Sequence, residues 1–258
     1  MRLLQSKIKS FINVFIEIDN GYHRTGVRPD QDSLIHGILA VIKESNFVTF
    51  AGFLSHAGHA YKARSTSEIL NVHDTTKRLM VELGNRYRHE FPNLKLSIGD
   101  TPTCSVANDF DGVDEIRPGN FIFYDLTQKE IGSCELSDVS VCMACPIVAV
   151  YPERGEMIIH GGAVHFSKDS LTTMGKTVLF GQAVQLTTNG WNRPLENVYL
   201  KSLSQEHGIL HCPDEMIAHF KVGDIIGVIP VHSCLTADSM GCYQRLTGEK
   251  IDMMKKGS

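Results

Sequence analysis

No stretch of this chain approaches the roughly 20 consecutive apolar residues that a membrane-spanning helix needs, so no membrane partner is expected. Basic clusters are also scarce. No Lys/Arg run is longer than Lys255-Lys256 and the formal net charge is −4, which argues against a nucleic-acid partner. The opening residues, MRLLQSKIKSF, are broken by Lys7 and Lys9 before an apolar signal-peptide core forms, and read instead as the tail of an amphipathic helix. The seven cysteines are an odd number, and without a secretory signal they predict reduced thiols and a cytoplasmic location. Internal repeats and low-complexity linkers are absent from the sequence. What remains is a chain of 258 residues, 42% hydrophobic and 21% charged, enough for one large or two modest domains with real cores.

The first half alternates two patterns. NVFIEI (residues 13–18) is a β-branched and aromatic strand that ends in the turn residues Asp19-Asn20-Gly21. Residues 29–44 carry Leu34, Ile38, Val41 and Ile42 at helical spacing, with Pro29 near the first turn. Residues 47–53 return to strand. Residues 67–89 form a long amphipathic helix with Ile69, Val72, Leu79, Leu83 and Tyr87 near one stripe, and residues 93–98 form a third strand. Strand, helix, strand, helix, strand predicts βαβ units and a parallel sheet. Chemistry in such folds collects at the carboxyl ends of strands, where DNGYHR, SHAGHAY and GDTPT fall. From residue 139 onward, short apolar runs alternate with the turn signals PERGE, HGG, TTNGW, PDE and VGD, with no helix-length periodicity. The expected organisation is α/β plus all-β, with residues 1–136 as a partial TIM-like (β/α) barrel and residues 137–258 as a C-terminal β domain. The first part offers four or five strands where a closed barrel takes eight.

Several stretches carry candidate chemistry. GDIIGVIP (223–230) reads as a strand, and VHSCLTAD (231–238) follows it. If the strand continued, His232 and Cys234 would share one face, and both are zinc ligands that leave positions open for water or substrate. The alternative is a buried thiol beside a hydrogen-bonded histidine. In IRPGNFIFYD (116–125), glycine lets the backbone approach an anion and consecutive amides form a nest, though Pro118-Gly119 equally suits a type II turn. GDTPT (99–103) offers hydroxyls and amides after a strand, but the Asp100 carboxylate would repel a phosphate unless it turned away. In GHAY, Tyr61 is the better candidate to border a ligand, with His56 and His59 as loop caps. Cys142-Met-Ala-Cys145 has zinc-knuckle spacing but no second pair, so buried strand cysteines are expected.

PVHSCLTAD, LSQEHG (203–208), EIDNGYHRTGV (17–27), SIGDTPT (97–103) and IRPGNFIFYD occur in the order seen in the D-serine dehydratase-like proteins, and the chain resembles that family over residues 11–240. These are relatives of D-threonine aldolase and, more distantly, of alanine racemase: pyridoxal-phosphate enzymes with a TIM-like barrel and a β domain. The resemblance implies zinc on His232 and Cys234. It implies Arg117 at the cofactor's pyridine nitrogen, with Gly119, Asn120 and Thr101 at its phosphate. It places Arg24 towards the phenolic oxygen, and His207 of EHG near substrate, with Glu206 as a possible partner to a metal ligand. HGGAVHFSKD (160–169) departs from the aspartate-glycine-lysine pattern of many relatives, which leaves the subgroup open.

The matched motifs belong to the later barrel strands and the β domain. The stretch bearing the Schiff-base lysine is therefore expected to be absent, with Lys62 the nearest substitute by location. The implied activity is zinc-assisted β-elimination from a D-hydroxy amino acid such as D-serine. The alternatives are a D-threonine aldolase-like lyase, against which Cys234 in place of aspartate argues, and a non-catalytic cofactor- or metal-binding remnant. A homodimer or a complementing N-terminal half are the partners the resemblance raises, beside the small-molecule substrate.

Overall fold

The β-branched run at the start of the chain forms β1 (Ile12–Ile18), and a parallel sheet grows from it in the order β1-β2-β3-β4, with β2 at Val48–His56, β3 at Lys95–Gly99 and β4 at Glu115–Ile116. This is a computed structural model, and it describes residues 7, 9–173 and 175–252. The amphipathic tail expected at the amino terminus falls for the most part outside them. Helix α1 (Asp32–Lys43) links β1 to β2, and α2 (Thr66–Tyr87) links β2 to β3. Ser65 caps α2 by accepting the Glu68 amide.

The buried stripe of α1 is Ile35, Leu39 and Ile42, whereas Leu34 is exposed. Spacing alone misphased it because the helix is apolar on more than one side. Gly52 has φ +150°, and a Cβ there would stand 1.9 Å from the Lys95 carbonyl oxygen. Only glycine fits, and the β1–β2 register slips beside it, Val14 pairing with Phe50 and Phe15 with Gly52. The core under the helices is built on Ile18, Ile35, Phe53, Met80, Leu83 and Leu96.

The chain forms two compact units. One comprises residues 1–121 with 131–133, the other residues 122–130 with 134–258. The chain thus passes between them more than once, where the sequence suggests a single boundary after residue 136. The short helix α3 (Thr101–Val106) follows β3, and α4 (Leu126–Ile131) begins in the second unit and ends in the first, where Ile131 packs with Ala63 and Ile69. Within the first unit the described strands make an open four-stranded sheet. After β4 the chain turns through a 3₁₀ segment at Asn120–Ile122.

The second unit is a closed antiparallel barrel in the order β10-β11-β6-β5-β12-β9. Its strands are β5 (Met143–Tyr151), β6 (Glu156–His160), β9 (Gly181–Thr187), β10 (Gly190–Leu203), β11 (His207–His211) and β12 (Ile225–Pro230). Closure leaves no unpaired edge, and Cys145, Ile147, Met157, Leu200, Leu210 and Val228 fill the interior. Two hairpins lie outside it, β7 (Leu171–Thr172) with β8 (Val178–Leu179) and β13 (Cys242–Gln244) with β14 (Lys250–Asp252). Three helices are inserted where the sequence suggests none: α5 (Ala163–Phe166), α6 (Asp214–Ile217) and α7 (Ser233–Met240). Among the described residues, no helix is long and apolar enough to cross a membrane.

Candidate cofactor and metal sites

The carboxyl ends of the parallel strands carry a connected polar set. Arg117, just past β4, lies back across the sheet. Its Nε donates to Ser97 Oγ at 2.6 Å and its Nη2 to the Ser55 carbonyl at 2.9 Å. Ser97 Oγ donates in turn to Glu115 at 2.5 Å, and Glu115 lies 3.6 Å from Arg117 Nε. The guanidinium is therefore held by two neighbouring strands, and among the described residues Nη1 makes no hydrogen bond. A Cβ on Gly99 would stand 2.8 Å from the Arg117 Cβ, so a glycine there lets the strands close.

Thr101 is fully buried, and its hydroxyl accepts the Asn120 amide at 2.8 Å. Of the two amides expected to form an anion nest, Asn120's thus already has an acceptor. Gly119 has nothing within 4 Å of where a Cβ would stand, leaving room for a ligand. Asp100 is turned away from that room. It caps α3, accepting the Thr103 amide at 2.7 Å and the Thr103 hydroxyl at 2.6 Å. Burial pushes its pKa up, against the hydrogen bonds from Thr103 and the nearby His56 and His59.

The other strand ends join through contacts. His56 Nδ1 donates to the Gly99 carbonyl at 2.7 Å. Tyr22 packs edge-on to His56, and Arg24 lies over the Tyr22 ring, 5.3 Å from its centre, with a loose pairing to Glu17 at 3.9 Å. Asp19 closes the β1 turn. Burial raises its pKa, but the His23 and Gly21 amides and the His23 ring outweigh that and hold it below the usual carboxylate range. His59 Nδ1 and Asn20 Oδ1 are buried with no hydrogen-bond partner among the described residues. Burial lowers the His59 pKa, opposed by Asp100 and Asp19. Tyr61 packs instead with Ala63, Ile69 and Ile131. Arg117, Thr101, Gly119 and Asn120 come together, and Arg24 connects to the set through Tyr22 and His56.

In the second unit the expected strand geometry at 231–238 is corrected. β12 ends at Pro230, His232 occupies the N-cap position, and Ser233 to Met240 are helical, so Cys234 stands in a helix's first turn. The cause is not local. Asp125, more than 100 residues earlier and 1% exposed, accepts the Ser233 amide at 3.1 Å and the Gln128 amide at 2.9 Å. Ser233 Oγ donates to the Tyr124 carbonyl at 2.5 Å, and Thr127 Oγ1 donates to the Val231 carbonyl at 2.8 Å. Three bonds thus pin the backbone either side of His232.

His232 Nδ1 lies 2.7 Å from Asp169 Oδ2. A carboxylate only accepts, so Nδ1 carries the proton and Nε2 presents its lone pair when the ring is neutral. That suits a zinc ligand, whose other nitrogen characteristically bonds a carboxylate. Burial, with Asp125 adding, pushes the Cys234 thiol up against a backbone hydrogen bond, and a bound cation would favour its thiolate. Among the described residues no group of three or more His, Cys, Asp or Glu side chains gathers to hold a metal. A metal here would rest on two protein ligands and keep open positions.

His207 opens β11 opposite His160 of β6. Their rings are 5.8 Å apart, and His165 is 5.2 Å from His160. The carboxylate bonded to His232 is Asp169. Sequence reading also missed Asp125, Ser97 and Ser55. The SKD end of HGGAVHFSKD held the one local signal for Asp169: a carboxylate in a turn. Cys145 is buried in β5 as expected, whereas Cys142 is half-buried just before it; burial pushes their thiols to about 12 and about 11.

Parallel strands with crossover helices, followed by a closed antiparallel barrel, define the alanine racemase-like class. An alanine racemase N-terminal domain model matches residues 3–126, and a putative serine dehydratase domain model matches residues 140–245. Within that class the chain is similar to D-serine dehydratase-like proteins. It is 30% identical over 248 residues to D-serine dehydratase of Dictyostelium discoideum, covering 92% of this chain and 61% of that protein. The solved D-threo-3-hydroxyaspartate dehydratase from Delftia sp. HT23 superposes with a TM-score of 0.82 at 27% identity, covering 93% of this chain and 65% of that one. An alanine racemase-like protein from Idiomarina loihiensis gives 0.82 at 26% identity, covering 97% and 66%. The chain thus spans less than two thirds of these relatives.

Proposed function

We propose that the protein is a pyridoxal-phosphate- and zinc-dependent dehydratase that removes water from a D-3-hydroxy amino acid, of the kind named by its relatives, D-serine and D-threo-3-hydroxyaspartate. The observation that carries this reading is Arg117. Its guanidinium is held by Ser97 and Ser55 with no hydrogen bond to Nη1 among the described residues, and Gly119, two positions on, has open space around it. A fixed cation next to a nitrogen keeps that nitrogen unprotonated, and room at Gly119 suits a phosphate. Thr101 orders the Asn120 segment from beneath. Pyridoxal phosphate, when bound, draws electron density from the substrate's α-carbon.

His232 and Cys234 are the proposed zinc ligands, with His232 offering Nε2. Zinc, when bound, polarises the β-hydroxyl as a Lewis acid so that hydroxide leaves more readily. The metal assignment also draws on D-threo-3-hydroxyaspartate dehydratase, one of whose solved structures is a cysteine-to-alanine mutant in the metal-free form. The reaction removes the α-proton and the β-hydroxide together, and the resulting enamine hydrolyses to a keto acid and ammonia. No lysine of this chain is assigned the cofactor-anchoring role.

The test supplies the protein with pyridoxal phosphate and zinc and measures keto acid and ammonia released from D-serine and D-threo-3-hydroxyaspartate. Acetaldehyde and glycine from D-threonine would instead mark an aldolase. Tight uptake of both ligands without turnover on any substrate would mark a cofactor-binding remnant.

A further inference from the structure

We propose that Asp169 is a positioning residue for the metal ligand His232: it fixes the imidazole in the Nδ1-protonated tautomer and aims Nε2 at the metal. The inference rests on the metal reading above and goes beyond it. The 2.7 Å contact between Nδ1 and Oδ2 is direct. At 40% and 48% side-chain exposure, such a pair adds little to stability, so its worth lies in orientation. His232 sits at the N-cap of α7, yet its side chain makes no capping hydrogen bond. With its backbone pinned through Val231 and Ser233, the ring torsions are its remaining freedom, and Asp169 takes them up.

The loop that delivers Asp169 is itself built for the purpose. Helix α5 packs against α7, and Ser167 ends α5 at φ 68° and ψ −170°, a region almost reserved for glycine. The Ser167 hydroxyl then accepts the Asp169 amide at 3.1 Å. A strained serine, where glycine would relax the turn, marks a conformation held for a reason. Reversing the chain there brings the carboxylate to His232, 63 residues away in sequence.

The experiment uses the full chain and zinc alone. Zinc affinity is measured by competition with a chromophoric chelator for wild type, Asp169→Ala, Asp169→Asn, His232→Ala and Cys234→Ala. The His232 ring nitrogens are followed by NMR in the zinc-free state. Asp169→Ala should weaken zinc binding about 10–100-fold and let the zinc-free ring populate the Nε2-protonated tautomer. Asp169→Asn, which keeps an acceptor oxygen, should recover much of both. If His232→Ala and Cys234→Ala bind zinc like wild type, the metal reading fails. If those two lose zinc while Asp169→Ala stays within about threefold, or its ring tautomer is unchanged, the positioning role is overturned. Should Asp169→Ala fold poorly, Asp169→Asn with an unaltered tautomer and affinity equal to His232→Ala would equally overturn it.

Discussion

Replacing Asp125 with alanine should destabilise the second unit far more than loss of an ordinary surface carboxylate. The side chain is 1% exposed and accepts two backbone amides, from Gln128 at 2.9 Å and Ser233 at 3.1 Å. Without it, two helix starts each keep an unsatisfied donor in a dry site, at about 1–3 kcal/mol apiece. Partial entry of water into the vacated volume lowers the sum, so the expected loss is about 2–4 kcal/mol, within the range of strong N-caps taken twice. For a chain of this size that is roughly 4–16 °C in Tm. Asp125→Asn retains one acceptor oxygen and should lose about half as much. The assay is built into the chain: its single tryptophan, Trp191, packs against the cluster of Leu126, Val184, Ile229 and Val231. Urea unfolding followed by Trp191 fluorescence gives both midpoints directly. A loss below about 0.5 kcal/mol for Asp125→Ala would refute the view that a remote carboxylate sets the start of α7.

Other outcomes follow from the same geometry. The raised Asp100 pKa means the folded state holds a proton that the unfolded chain releases first. Stability from this group is therefore full below the ordinary carboxylate pKa and lost as pH rises through the raised one. Asp100→Asn should flatten that fall in urea midpoints by far-UV circular dichroism, and an unchanged profile would contradict it. Thiol labelling at mildly alkaline pH should reach exposed Cys242 first and leave Cys145, pushed to about 12, protected until unfolding. Equal rates would favour a reactive Cys142–Cys145 pair. Borohydride reduction after addition of pyridoxal phosphate should mark no single lysine, and clean labelling of Lys62 would give this chain its own anchoring amine.

The parts of the fold that sequence made legible were those governed by neighbours a few residues apart. Strand alternation in NVFIEI and the long stripe ending at Tyr87 correspond to β1 and α2 within a residue or two. The turn-rich second half is read as β for the same reason, and it closes into a barrel. What failed was decided at long range. VHSCLTAD looks like a strand's continuation, yet Asp125 and Tyr124 arrive from another part of the chain to start a helix at Ser233. Within IRPGNFIFYD, nothing local signals that the Asn120 amide is taken by the Thr101 hydroxyl. Ser97 and Ser55 carry no signal as isolated serines. Their part emerges only when Arg117 is laid across β3 and β2.

Native mass spectrometry of the protein with pyridoxal phosphate and zinc tests the two-ligand account most directly, because one spectrum reads both. Wild type should gain one cofactor and one zinc. Arg117→Ala should lose the cofactor and keep the zinc, and His232→Ala should do the reverse. An Arg117→Ala protein that retains pyridoxal phosphate as firmly as wild type would contradict the account.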